Sequence, residues 1–289
     1  MTGLVVGVDG SPAGAAAARW AAHEAVVRHV PVHLLHSWTT QPLTVPVADQ
    51  AGSKRRYGQE VLQRTAADLR HRYGDLTLTT ELVSAPAAQA LLDRGTDADL
   101  LVLGSRGHGS VASFLLGSIA LNVLGLTQCP AVVVRADDST VEADRCHPGT
   151  AERNEIVVGV REPGPAADTL LEFAFTTADA HGVLVRAVTA VPPHCGPRNG
   201  EEQRARLQAA LTPWQEKFPE VAVVQRVTAG SAAEVLPSFC AHSRLLVVGR
   251  RTHPPRGVWK LGPVAHAALR HVACPVAVVP QFPVGSLSA

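Results

Sequence analysis

LLVLGSRGHGSVASFLLGSIA, residues 100–120, begins as an apolar run and breaks off at Gly104. Leu100–Leu103 is continuously apolar, as in a strand covered on both faces. Gly107 and Gly109 follow, and Gly117–Ser118 then opens a helical pattern. A glycine-rich turn allows positive φ and lets backbone N–H groups converge on an anion. A helix N-terminus nearby adds unpaired N–H groups and a partial positive charge. The Ser118 hydroxyl can cap the helix or donate to a phosphate oxygen. Together these features predict a phosphate cradle without a lysine.

A second stretch, LLVVGRRTHPPRGVWKLGPVA at residues 245–265, has the same layout with most of this chemistry missing. Other segments recur as well. LVVGVDGSP near the start answers to IVVGVREPG from Ile156, and CPAVVV answers to CPVAVV. Gly104 to Cys129 and Gly249 to Cys274 are both 25 residues apart, and Gly117 to Cys129 and Gly262 to Cys274 are both 12. The chain therefore divides into two copies of one unit, residues 1–136 and 154–289, with a polar, aperiodic linker at 137–153.

Within the first copy, short β-branched runs alternate with longer helical stretches. Strands are predicted at Leu4–Val8, Val32–His36, Leu76–Val83, Leu100–Leu103 and Ala131–Val134. Helices are predicted from Pro12 to about His29, over Tyr57–Arg72, Ala87–Arg94 and Ser118–Leu126. Ser11 offers a hydroxyl N-cap and Pro12 suits the first helical turn. The alternation predicts an α/β fold in which each unit carries an open, mostly parallel five-stranded sheet with helices on both faces.

Hydrophobic residues make up 46% and aromatics only 4%, so Ala, Val and Leu must fill the core. The net charge of +1 provides no basic field for nucleic acid or an anionic membrane. MTGLVVGVDGS has no basic n-region, and no apolar run is long enough to span a bilayer, so a soluble cytoplasmic protein is expected. The five cysteines are scattered and never in CxxC, which reads as buried or incidental thiols rather than a disulfide framework or zinc site. His23, His29, His33 and His36 read as solvated helix positions and strand ends rather than a metal site.

No Walker A loop is present. GHGSVA mimics a dinucleotide fingerprint but follows the fourth strand, not the first. VVGVDGS, VLGSRGHG and LLGSIALNVL ahead of CPAVVV resemble the universal stress protein family in its tandem, actinobacterial form. The family's G-x2-G-x9-G-[ST] pattern is matched by Gly104, Gly107, Gly117 and Ser118. The resemblance implies an adenine-nucleotide alpha-hydrolase-like fold with strand order 3-2-1-4-5. It implies ATP, and Mg²⁺ is left open as an accompanying ion, since no carboxylate pair for it stands near the glycine loop. Adenosine would lie near Gly7, Asp9 and Ser37, and the phosphates on Gly104, Gly107, Gly117, Ser118 and Ile119. Arg106, His108 and Gly109 belong to the same loop, and Arg106 suits a phosphate oxygen. Asp9 equally suits a helix cap.

In the second copy Arg161 stands for Asp9, Thr252 for the second glycine and Pro263 for the serine. Thr252 resists positive φ, and Pro263 removes a donor and a hydroxyl. Its loop carries Arg250, Arg251, His253 and Arg256, and a degenerate copy kept for packing is expected. Three functions compete: a nucleotide-binding stress regulator, a slow ATPase or phosphotransferase, and a nucleotide-free scaffold. Asp9 is the only acid near the glycine loop, which favours binding over hydrolysis. Each copy ends in an apolar edge strand, and edges invite pairing. Together with the resemblance, this implies an intramolecular pseudo-dimer with Ala131–Val134 beside Val276–Val279, and leaves a homodimer open.

Overall fold

The structure is a computed structural model describing residues 3–39, 48–105, 117–138, 154–193, 197–241, 243–251 and 261–281. The chain divides into two compact units, Met1–Val141 and Glu142–Ala289. In the first, the described elements are β1 (Leu4–Gly7), α1 (Pro12–Arg28), β2 (Val32–Thr39), α2 (Ala48–Arg72), β3 (Leu78–Pro86), α3 (Ala87–Gly95), β4 (Leu100–Gly104), α4 (Ser118–Leu126) and β5 (Ala131–Val134). Their strands run in the order β3-β2-β1-β4-β5, and every pair is parallel. Val6 at the centre lies level with Leu34 on one side and Val102 on the other.

Local chemistry explains these limits. Ser11 caps α1 by accepting from Gly14 N at 3.1 Å, and Pro12 opens the helix. His29 ends it in the left-handed region at φ 55. The buried face of α1 is mainly alanine, including Ala17, Ala18, Ala21 and Ala22, so the helix axis can lie close to the sheet. α1 packs on α2 and α3 on α4, which places two helices on each face. Leu34, Leu101, Val102, Val132 and Leu124 close the core between them.

Three elements of the first unit differ from the sequence expectation by more than one residue. α2 starts at Ala48 rather than Tyr57, because its polar first turns carry no apolar period to read. β2 continues to Thr39, where it still pairs with Pro86 of β3. β3 is shifted toward its C-terminus for the same reason. The second unit repeats the plan with β6 (Glu155–Gly159), α5 (Pro165–His181), β7 (Leu184–Val191), α6 (Pro197–Lys217), β8 (Val223–Ala229), α7 (Ala232–Ser238), β9 (Ser243–Arg251), α8 (Pro263–His271) and β10 (Val276–Gln281). Its order is β8-β7-β6-β9-β10, again parallel throughout. Its core adds one aromatic cluster, in which the fully buried Phe175 meets Trp214 and Phe218 at 6.2 and 6.0 Å between ring centres. Cys129, Cys240 and Cys274 are buried free thiols, and burial pushes the Cys129 thiol up. Cys146 and Cys195 lie outside the described residues.

A charged cluster ties β2, β3 and α3 together. Arg94 donates to both oxygens of Glu81, at 2.9 and 2.5 Å, and His33 Nε2 lies 2.8 Å from the same carboxylate. His33 is thus paired across the strands rather than merely solvated. The Arg94 guanidinium, with His33 in support, holds the Glu81 carboxyl below its ordinary 4.5. The unfolded chain therefore binds the proton more readily than the native state. The cluster's stabilisation is complete above about pH 4.5 and is lost as pH falls through the lower native value. The pairs are partly exposed, so Glu81→Gln is expected to cost about 0.5–1 kcal/mol at neutral pH. Urea denaturation at pH 7 and pH 3.5 should show the difference between the two proteins shrinking at the lower pH.

Candidate functional site

In the first unit the strand order reverses beside β1. Its neighbour β2 leads to α2 on one face, while β4 is reached through α3 on the other, and ligand crevices form outside such reversals. Gly7 lies level with Leu103, so the β1–α1 turn and Gly104 emerge side by side. At Gly104 the first turn of α1 comes down directly onto the strand. A Cβ there would lie 2.5 Å from the Ala13 carbonyl carbon and 2.7 Å from Gly14 N. Gly104 does not lie in the left-handed region, and Gly117 has φ −64, so the expectation that the motif's glycines supply positive φ fails at both. At Gly104 the requirement is close backbone approach.

The other expected residues divide into exposed and engaged groups. Asp9 is exposed, and its Oδ1 accepts from Ser11 N at 2.9 Å. The helix cap itself is Ser11, so Asp9 shapes the turn through one carboxylate oxygen. Gly7 lies under Leu91 of α3, with a would-be Cβ 3.3 Å from it. Its counterpart Gly159 meets Leu236 in the same way at 2.7 Å, which marks this glycine as a packing position in both units. The Ser37 hydroxyl donates to the Ala85 carbonyl at 2.5 Å, across to β3. Gly117 is the N-cap of α4, with no side chain capping the helix, and Ser118 and Ile119 are exposed. Ser118 is therefore a first-turn residue, not the cap. Arg106, Gly107, His108 and Gly109 lie outside the described residues.

Two residues escaped the sequence reading. Ser105 is fully buried at the end of β4, with its N–H bonded to the Val134 carbonyl at 2.8 Å. Its hydroxyl is buried with no partner among the described residues. The motif spacing treats this position as a spacer, so nothing in the pattern marks it. His36 was read as a strand-end histidine, but it is only 6% exposed. Its Nδ1 lies 2.7 Å from the Val8 carbonyl, which makes Nδ1 the donor and ties β2 to the residue before Asp9.

The same place in the second unit is built differently. The Gln281 amide stands over Gly249, where a Cβ would come within 2.5 Å of Nε2, and Nε2 donates to the Ala166 carbonyl in the first turn of α5 at 3.0 Å. Counting from the Cys-Pro pairs, the first unit has Ala136 at that position. Arg250 takes the place of Ser105 and is 4% exposed, and burial pushes its guanidinium pKa down. Arg250 and Arg251 belong to β9 and are not the loop arginines expected from the sequence. Arg161, in place of Asp9, is exposed beside Glu162. Pro263 opens α8 after Gly262, a favourable first helical position that offers no amide proton.

The sequence pattern of the universal stress protein family matches residues 1–135 and 152–280. A universal stress protein of Mycolicibacterium smegmatis is 31% identical over 96% of both chains. One from Mycobacterium tuberculosis is 29% identical over 96% of this chain and 95% of that one. The crystal structure of a universal stress protein from Archaeoglobus fulgidus superposes with a TM-score of 0.77 at 14% identity, covering 97% of this chain and 98% of that one.

The contrast between Gly104 and Gly249 is measurable. Gly104→Ala forces a methyl against backbone and is expected to cost about 1–3 kcal/mol. Gly249→Ala meets only the end of a side chain that can swing away, so it should cost less. Chemical denaturation of the two variants compares them, and equal losses would remove the α1 backbone as the constraint.

Proposed function

Because the chain belongs to the universal stress protein family, we propose that its first unit, residues 1–136, binds ATP and that the protein regulates a stress or dormancy response through nucleotide-dependent interactions. The observation that carries this reading is the buried Ser105 hydroxyl beside Gly104, which has no partner among the described residues. An unpaired buried hydroxyl costs about 1–3 kcal/mol, so a site that keeps one has a use for it. The uncapped start of α4, with exposed Ser118 and Ile119, adds free amides for an anion. The phosphates are assigned to Gly104, Arg106, Gly107, Gly117, Ser118 and Ile119, with His108 and Gly109 in the enclosing loop and Mg²⁺ in attendance. Adenosine is assigned to Asp9 and to the backbone around Gly7 and Ser37, whose hydroxyl is already engaged. The protein acts by binding rather than by turnover, because Asp9 is the one acid at the turn and holds its own backbone.

No helix among the described residues is long and apolar enough to cross a membrane. A cytoplasmic location and a pseudo-dimer through Ala131–Val134 and Val276–Val279 complete the proposal, with two-chain association as an extension of it. The edge strands of both units are apolar, which supports the pairing. Hydrogen exchange on separately expressed halves tests this. Last strands as protected in monomeric halves as in the whole chain would rule the pairing out.

Calorimetric titration with ATP is expected to give one site per chain, because Gln281 fills the second unit's crevice and Pro263 removes a donor. Two equivalent sites would contradict the proposal. Gly117→Glu places a carboxylate where a phosphate is expected, so binding should fall by two orders of magnitude or more while the thermal transition stays cooperative, on the scale of two lost charge-assisted bonds of about 1.5–3 kcal/mol each. Unchanged affinity would take Gly117 out of the site.

A further inference from the structure

Val8 turns to the sheet face opposite Gly7, toward α1 and α2, and a cavity of about 320 Å³ lies there. One wall is the face of α1 that carries Ser11, Ala15 and Arg19, spaced four apart. The other is the face of α2 that carries Tyr57, Val61, Arg64 and Thr65. These spacings put each set on one side of its helix. Val8, Ala15 and Val61 make an apolar floor, and the polar groups stand around it.

The mouth of the cavity is shaped by the β1–α1 turn. Gly10 adopts φ +83, and a Cβ there would run into the Tyr57 hydroxyl and lie 2.9 Å from Val61. The missing side chain is what admits Tyr57 over the turn. The buried His36 ring supports Tyr57 edge-on, with ring centres 6.2 Å apart. Tyr57 nevertheless remains 51% exposed.

The charges are unbalanced. Arg28 and Arg72 on the same two helices are paired with Glu24 and Asp68. Arg19 and Arg64, which line the cavity, have no ion-pair partner among the described residues. The Tyr57 and Thr65 hydroxyls likewise have no partner there. Asp68 is the one acid among the described lining residues, and Arg72 holds it at 2.9 Å. Two unanswered guanidinium groups, two free hydroxyls and an apolar floor in a cavity of ligand size make an anion site.

We propose that the α1–α2 cavity of the first unit binds a small dianion, a phosphoryl or dicarboxylate head on a compact apolar body, held by Arg19 and Arg64. It opens on the α1–α2 side of the β1–α1 turn, whereas the phosphates of the nucleotide proposed above are assigned to the switch between β1 and β4. The test titrates the full chain at low salt with inorganic phosphate in one arm and malonate in the other, followed by NMR of backbone amides. Shifts on α1 and α2 around Arg19, Val61 and Arg64 are expected, and the tighter of the two anions identifies the head group. Arg19→Gln and Arg64→Gln keep a good helix former and should each weaken binding about tenfold, with ATP affinity unchanged. Gly117→Glu should leave this binding intact. Absence of α1–α2 shifts with both anions, or equal affinity in the Arg19→Gln/Arg64→Gln variant, would overturn the proposal. So would loss of anion binding in Gly117→Glu alone, since the anion would then occupy the glycine site.

Discussion

The contact on which the first unit depends is backbone against backbone: the first turn of α1 resting on Gly104. A side chain at that position would push the helix off the sheet, because Ala13 and Gly14 already fill the space within 2.7 Å of a would-be Cβ. The contact brings the β1–α1 turn and the end of β4 together at the strand reversal. Asp9 and Ser105 inherit their positions from it. The alanine face of α1 serves the same end, since small side chains keep the helix low along its length.

The two units show how one architecture holds different chemistry at the same place. Each keeps a glycine near the end of its fourth strand and a leucine of its third helix over the glycine of its first strand. The second unit then spends its crevice on its own side chains. Gln281 bridges to α5, and Arg250 is buried where the first unit has a serine. Shared glycines therefore report the fold, while the residues beside them differ between the units. Glycine alone does not distinguish a site from a packed junction.

Charge is distributed unevenly over the first unit. The Glu81–Arg94–His33 cluster is internally neutralised and ties strands to helix, with partners close enough to satisfy one another. The α1–α2 cavity has the reverse balance, with two arginines in its lining and, among the described residues, one acid, already paired to Arg72. Pairing, more than the count of charged residues, separates the structural cluster from the open one.

The tandem repeat, the strand–helix alternation, the cap at Ser11 and the family motif were all legible in the sequence, because each rests on local spacing: the period of apolar residues, the turn chemistry and the interval between glycines. The limits of α2 and β2 were not, since polar helical turns carry no apolar period and strand length follows from pairing with a neighbour. Nor were the roles of Ser105, His36 and Gln281. Ser105 is buried by what surrounds β4, His36 bonds to a residue 28 positions away, and Gln281 reaches 115 positions back to Ala166. Tertiary structure alone decided those, because burial and long-range hydrogen bonds depend on which elements meet in space, and local sequence carries no record of that meeting.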